Sequence, residues 1–273
     1  MDFNFILFAI KIKNEVKKMN ELRKALNEGR KVSGTLISLT DPCVCEIMGN
    51  VGFDNVWIDF EHTYLSYENV LCHLNAAKSV GISSVVRVPQ NDLTATKKVL
   101  EMGPDGIIFP MITSAKEARD AISMTLYPPL GVRGVGPMRA VDYDTAKYGE
   151  YVFEKNFELC RFVQIEHIGL IDQLEEAAEI PFLDGFVFGP CDLSCSMGDN
   201  LNVLGDKVFS RIEKAASFLK SKGKKIGLAG SPSPSDIEKW ASLDLDILWA
   251  GWDWSLLYTE AKKALQNIKD FYK

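Results

Sequence analysis

No C-x2-C pair occurs among the six cysteines, Cys43, Cys45, Cys72, Cys160, Cys191 and Cys195. The spacing of a structural zinc site is therefore missing. The cysteines are expected to be reduced thiols in a cytoplasmic protein, most of them small core residues. A surplus of positive charge is missing too. With 31 Lys and Arg against 37 Asp and Glu the net charge is -6, which argues against nucleic acid or an anionic membrane surface as the main partner. The apolar patch in MDFNFILFAIKIKNEVKK is too short to span a bilayer, and its basic residues follow it, the wrong order for a secretory signal. Residues 1–19 are expected to form an N-terminal extension outside the main fold, with Met19 a candidate start. No low-complexity tract or linker divides the rest.

What is present is a repeating alternation. The 273 residues are 47% hydrophobic, enough for a substantial core. Apolar runs of strand length recur as SGTLISL, DNVWIDF, SSVVRV, GIIFPM, CRFVQIE, DGFVFG, KKIGLAG and LDILWAG. Between them YENVLCHLNAAKSV, LTATKKVLEM, AKEARDAISMTL, LIDQLEEAAEI, KVFSRIEKAASFLKSKG and SPSDIEKWASL carry helical periodicity. Strands alternating with helices call for a parallel sheet, and eight of them close a (β/α)8 TIM barrel. A single domain over residues 20–273 is expected. One connection, YPPLGVRGVGPMRAVDYDTAKYGEYVFEKN, is too long for an ordinary barrel loop and is read as functional or disordered.

Active sites of such barrels lie at the carboxyl ends of the strands, and few polar residues stand there. The second strand ends in Asp59, Glu61 and His62, the third in Arg87, and the fifth in Gln164, Glu166 and His167; Asp192 follows the sixth. Glu166 and Asp192 leave neighbouring strands at the same end. Two carboxylates with room for water suit a hard divalent cation, although acidic residues at such junctions equally serve as helix caps. Arg87, in a strand buried on both faces, needs an anion; a structural salt bridge and stabilisation of an oxyanion both satisfy it. His62 is the histidine best placed for proton transfer. His73 lies within a helix, as a packing or surface residue, and His167, next to Glu166, points to the opposite face. GPCDLSCSMG turns into a short helix near Asp192 whose amides suit a carboxylate. No lysine stands at a strand end to form a Schiff base.

GFDNVWIDFEH, VVRVPQND, YPPLGVRGVGP, VQIE and GPCDLSCSMG, in this order across residues 20–265, resemble the metal-dependent class II pyruvate aldolases of the HpcH/HpaI family. The resemblance implies reversible cleavage of a 2-keto-4-hydroxy acid to pyruvate and an aldehyde with a divalent metal, Mg2+, Mn2+ or Co2+. By the same likeness His62 is the catalytic base and Arg87 stabilises the transition state, while Glu166 and Asp192 are the metal ligands. Gln164, Cys191 and Asp192 join Arg87 in holding substrate. Glu101 stands where the family has an aspartate that raises the basicity of the histidine, and Asp59 and Glu61 support the metal water and the site. Phe60 and Cys191 replace smaller residues of many relatives, so acceptor preference is expected to differ. The likeness also implies a homo-oligomer, usually a hexamer, with AKKALQNIKDFYK docking on a neighbour. Two other readings are a citrate-lyase-like lyase acting on an acyl-CoA, for which only KSKGKK supplies a basic cluster, and a non-catalytic barrel subunit.

Overall fold

Each apolar run becomes a strand: β1 (Val32–Ile37), β2 (Asn55–Asp59), β3 (Ser83–Arg87), β4 (Gly106–Phe109), β5 (Cys160–Ile165), β6 (Gly185–Phe188), β7 (Lys225–Gly230) and β8 (Ile247–Trp252). The computed structural model describes residues 20–272, and the extension expected over residues 1–19 lies outside the described residues. All eight strands pair in parallel, in chain order, and β8 closes on β1. This is the (β/α)8 barrel that the alternation implies. Parallel neighbours require crossovers, and helices supply them: α1 (Glu21–Asn27) precedes the barrel, followed by α2 (Cys43–Val51), α3 (Tyr67–Val80), α4 (Leu93–Glu101), α5 (Ala115–Ser123), α6 (Tyr148–Phe153), α7 (Ile168–Ile171), α8 (Leu174–Ala178), α9 (Pro190–Ser196), α10 (Asp206–Ser221), α11 (Pro234–Ala241) and α12 (Asp253–Phe271). Local chemistry sets their ends. Ser66 and Asn69 form a capping box at the start of α3, Asp92 accepts from the amides of Thr94 and Ala95 before α4, and Gly52 and Gly81 take left-handed conformations after α2 and α3.

Three sequence expectations are corrected. CVCEIMGNV, not read as a helix, forms α2. LIDQLEEAAEI divides into α7 and α8 at Gln173, whose backbone leaves the helical region at φ -117° and ψ 19° and whose side chain accepts the amide of Ala115 at 3.0 Å. All six cysteines are thiols, yet only Cys45 and Cys160 are buried; Cys43, Cys191 and Cys195 are exposed on α2 and α9. His73 is buried, with its Nδ1 3.6 Å from Cys45 Sγ.

The core has two compartments, one between sheet and helices and one inside the barrel. In the inner one Trp57 and Trp249 meet edge to face at 5.1 Å, and Trp249 Nε1 donates to Asn55 Oδ1 at 2.8 Å. Two glycines make room for Trp249: a Cβ on Gly34 would lie 2.3 Å from its ring, and one on Gly227 2.6 Å. α1 plugs the amino-terminal end with Leu22, Ala25 and Leu26, and Arg23 ties it to Asp184 at 2.6 Å.

A regular device fastens that same end. Asp54, Asp105, Asp184 and Asp246 each stand one residue before an even-numbered strand. Their Oδ2 atoms accept the amides of Ser33, Ser84, Arg161 and Ile226, the second residues of the preceding odd strands, at 2.8–2.9 Å. Each aspartate amide in turn donates to the carbonyl of the same residue, at 2.8–3.0 Å. Backbone groups that precede the ladder are thereby satisfied. The long connection is pinned from within. Arg133, wholly buried, lies over Tyr127 at 4.7 Å and contacts Glu101 at 3.2 Å and Asn156 at 3.3 Å.

Among the described residues no helix is long and apolar enough to cross a membrane. Because the Trp249 ring cannot move away within a packed barrel, Gly34→Ala is expected to destabilise the fold by about 1–3 kcal/mol, read as a lower urea midpoint at unchanged slope.

Candidate active site

The inward alternation of β2 and β3 decides the centre of the mouth. Asp59 and Arg87 are register partners on adjacent strands, so both point inward at the same height. They form a two-pronged pair, Arg87 Nε to Asp59 Oδ1 at 3.0 Å and Nη2 to Oδ2 at 2.7 Å. Asp59 Oδ1 also accepts the amides of Glu61 and His62, at 3.1 and 3.3 Å, which folds the loop after β2 back over the mouth. Glu61 therefore returns to Arg87: its Oε2 lies 2.9 Å from Nη1. That contact lacks hydrogen-bond alignment, and the buried oxygen has charge beside it but no donor directed at it. His62 sits on the rim, largely exposed, with Nε2 3.5 Å from Glu61 Oε2.

β5 brings Gln164 and Glu166 to the same hollow. Gln164 Nε2 donates to Glu166 Oε1 at 2.6 Å, and its Oε1 lies 3.4 Å from Arg87 Nη1. Glu166 Oε2 accepts the amide of Met111 at 2.9 Å, which is turned inward by a left-handed backbone at φ 49°. For a residue with a side chain that conformation costs about 1 kcal/mol. After β6, Gly189 leaves the space Glu166 fills, since a Cβ there would lie 2.6 Å from Glu166 Oε1. Helix α9 starts at Pro190, two residues earlier than the sequence implied, and carries Cys191 and Asp192 in its first turn.

These groups share one cavity of about 520 Å³, lined by Asp59, His62, Arg87, Gln164, Glu166, Cys191 and Asp192. Glu101 does not belong to it. The residue ends α4, a helix running back to the amino-terminal face, and its carboxylate is held by Arg133 there. Phe60 also turns away, packing edge to face on Tyr67 at 4.8 Å in the outer core. His167 caps α7, its Nδ1 accepting the amide of Gly169 at 3.0 Å. The basic cluster KSKGKK lies at the amino-terminal end of β7, where Lys220 and Lys222 meet Asp244 and Glu179. Asp253, at the start of α12, is buried and accepts the amides of Ser38 and Leu39 at 2.9 Å, tying the loop after β1 to that helix.

The electrostatics are lopsided, with Asp59, Glu61, Glu166 and Asp192 around the single guanidinium of Arg87. Burial raises Glu61 to about 7; Arg87 opposes the rise, and Asp59 and Asp192 add to it. Burial likewise raises Glu166 to about 7, against the Met111 amide and Arg87, with Glu61 and Asp192 adding. Burial pulls Arg87 down, but Asp59, Glu61 and Glu166 outweigh it and its pKa rises. Among the described residues no group of three or more His, Cys, Asp or Glu is arranged to hold a metal ion. The carboxylates of Glu166 and Asp192, lining one cavity, nevertheless fit a hard, largely water-ligated cation.

The profile described as HpcH/HpaI aldolase/citrate lyase matches residues 33–230. The chain belongs to that family. A hydroxypyruvate/pyruvate aldolase of Deinococcus radiodurans is 31% identical over 92% of this chain and 90% of its own. A 4-hydroxy-2-oxo-heptane-1,7-dioate aldolase of Salmonella dublin is 34% identical over 77% of this chain and 80% of its own. The crystal structure of an HpcH/HpaI aldolase from Desulfitobacterium hafniense superposes with a TM-score of 0.85 at 29% identity, covering 92% of this chain and 97% of that one. This member of the HpcH/HpaI family is accordingly an enzyme, a carbon–carbon lyase of the class II pyruvate aldolase kind.

A pH dependence follows from the two raised carboxyls. Their folded values near 7 exceed the ordinary 4.5, so between these values the folded protein binds more protons than the unfolded chain. Stability from these groups is complete below about pH 4.5 and is lost as the pH rises through 7. In metal-free buffer the urea midpoint of the parent is expected to fall more between about pH 5 and pH 7.5 than that of a Glu61→Gln, Glu166→Gln double variant.

Proposed function

We propose that the protein cleaves a 2-keto-4-hydroxy acid reversibly to pyruvate and an aldehyde, with Glu166 and Asp192 as ligands of Mg2+, Mn2+ or Co2+. The observation that carries this reading is Arg87, buried at the centre of the mouth among four carboxylates, with an imidazole on the rim above it. A divalent ion held there supplies fixed positive charge beside the keto acid and lowers the cost of an enolate. The chain's own groups do the rest. Gln164 and the first turn of α9 at Cys191 and Asp192 border the space for the keto acid, and Gln164 orients Glu166. His62 takes the proton of the 4-hydroxyl. As the C3–C4 bond breaks, its electron pair passes to C3 and onto the former keto oxygen, and Arg87 faces the charge that grows there. A guanidinium aimed at developing charge in a buried site needs no reorganisation during the reaction. Glu61, with its undonated oxygen, and Asp59, which fixes Arg87 and the loop of His62, act as positioning groups.

The names of the relatives support pyruvate as the keto acid. Six free cysteines without C-x2-C spacing support a reducing, cytoplasmic setting. The outer side of α12 exposes Leu257, Leu265, Ile268 and Phe271, an apolar stripe that supports assembly with further copies of this chain; a hexamer is the copy number the family likeness implies, and light scattering measures it.

A chelator is expected to abolish turnover, and added Mg2+, Mn2+ or Co2+ to restore it; full activity in metal-free protein refutes the metal assignment. Arg87→Ala is expected to lower kcat on the order of 100-fold and, by leaving Asp59 buried without a partner, to reduce stability by about 3–5 kcal/mol. A loss confined to KM, in protein shown to be folded by circular dichroism, removes Arg87 from the chemistry.

A further inference from the structure

The barrel order divides the mouth into unlike sides. β5 lies four strands from β1, and β6 four from β2, in either direction round the closed sheet, so Glu166 and Asp192 stand across the cavity from the ends of β1 and β2. That far side is mainly apolar and aromatic: Leu39 after β1 and Tyr64 in the adjoining loop of His62, flanked by Trp252 at the end of β8 and Trp254 beyond it, line the same cavity, with Ser38 and Thr63 as its polar members. Its shape is held from behind. Asp253 accepts the amides of Ser38, Leu39 and Trp254 at 2.8–2.9 Å, which fixes Leu39 beside the two tryptophans.

We propose that this wall seats the acceptor aldehyde and selects an uncharged, apolar tail over one that ends in a carboxylate. The assignment rests on the pyruvate aldolase reading above and names its second substrate class. With the keto acid on the carboxylate side and His62 at the 4-hydroxyl, the chain beyond C4 extends toward the wall. Indole faces gain by covering a hydrocarbon tail. A terminal carboxylate meets the opposite situation, because among the described residues Arg87 is the only guanidinium or ammonium that lines the cavity. Its Nε and Nη2 are spent on Asp59, and its Nη1 lies against Glu61. The charge behind the wall, Asp253, is itself an anion. A second carboxylate would lose water there and find no cation.

The test compares tails of equal size. In the synthetic direction pyruvate C3 loses a proton to base, a bond forms from C3 to the aldehyde carbon, and the aldehyde oxygen gains a proton, so no oxidant or reductant enters. With metal-loaded enzyme and pyruvate, kcat/KM for butanal is expected to exceed that for succinic semialdehyde by at least about 10-fold. As competitors of pyruvate, 2-oxohexanoate is expected to bind at least about 10-fold more tightly than 2-oxoadipate, followed by quenching of tryptophan emission. Trp254→Arg, at a half-exposed position that does not threaten folding, is expected to lower the butanal to succinic semialdehyde ratio by about 10-fold or more. Equal or faster condensation of succinic semialdehyde, or equal or tighter binding of 2-oxoadipate, overturns the assignment. Exchange of the pyruvate methyl protons in D2O, followed by NMR, needs no aldehyde. Its absence sinks the aldolase reading, whereas its presence with the reverse tail preference sinks the acceptor wall alone.

Discussion

The pairing of Arg87 with Asp59 is the constraint on which the mouth of this barrel depends. It is written into the register of β2 and β3, where the two residues face each other across adjacent strands. An arginine cannot shed its charge when buried, so its partner must stay in place. That requirement makes Asp59 a fixed acceptor, and the fixed acceptor in turn captures the amides of Glu61 and His62. The loop carrying the imidazole is therefore shaped by a salt bridge one strand away. Because Asp59 and Arg87 neutralise each other, the remaining carboxylates keep their surplus of negative charge.

Steric economy complements this electrostatic one. Glu166 reaches its place because Gly189 has no side chain and because Met111 tolerates a left-handed backbone that presents its amide. Trp249 fills the barrel because two glycines on flanking strands give way to it. In both cases one large or charged group is accommodated by residues on neighbouring strands, which no single segment of sequence reveals.

Much of the fold was legible for a definite reason. Parallel strands covered on both faces must be almost continuously apolar, so all eight runs stood out between periodic helices. The polar residues ending those runs were legible as a site because the barrel gathers strand ends at one face. The errors have equally definite causes. Glu101 closes a helix, and helices in this fold return to the opposite face, so its carboxylate ends beside Arg133. Phe60 follows an inward Asp59 and must point outward by the alternation of a strand. Gln173 divides an apparently continuous helix by a backbone conformation outside the helical region, which periodicity does not encode. The role of Asp253 was not legible because its partners, the amides of Ser38 and Leu39, are 215 and 214 residues away in the chain. The aspartates before β2, β4, β6 and β8 left a visible signal, an acid directly ahead of every second apolar run.

Those four aspartates bind the ring at its amino-terminal rim in both directions. Each joins an odd strand to the even strand after it by reciprocal bonds, and its own carbonyl accepts the first amide of the next odd strand, that of Ser83, Cys160, Lys225 or Val32. A chain cut between residues 127 and 156 would leave two clasps in each half, with Asp105 and Asp246 still reaching Cys160 and Val32 in the other.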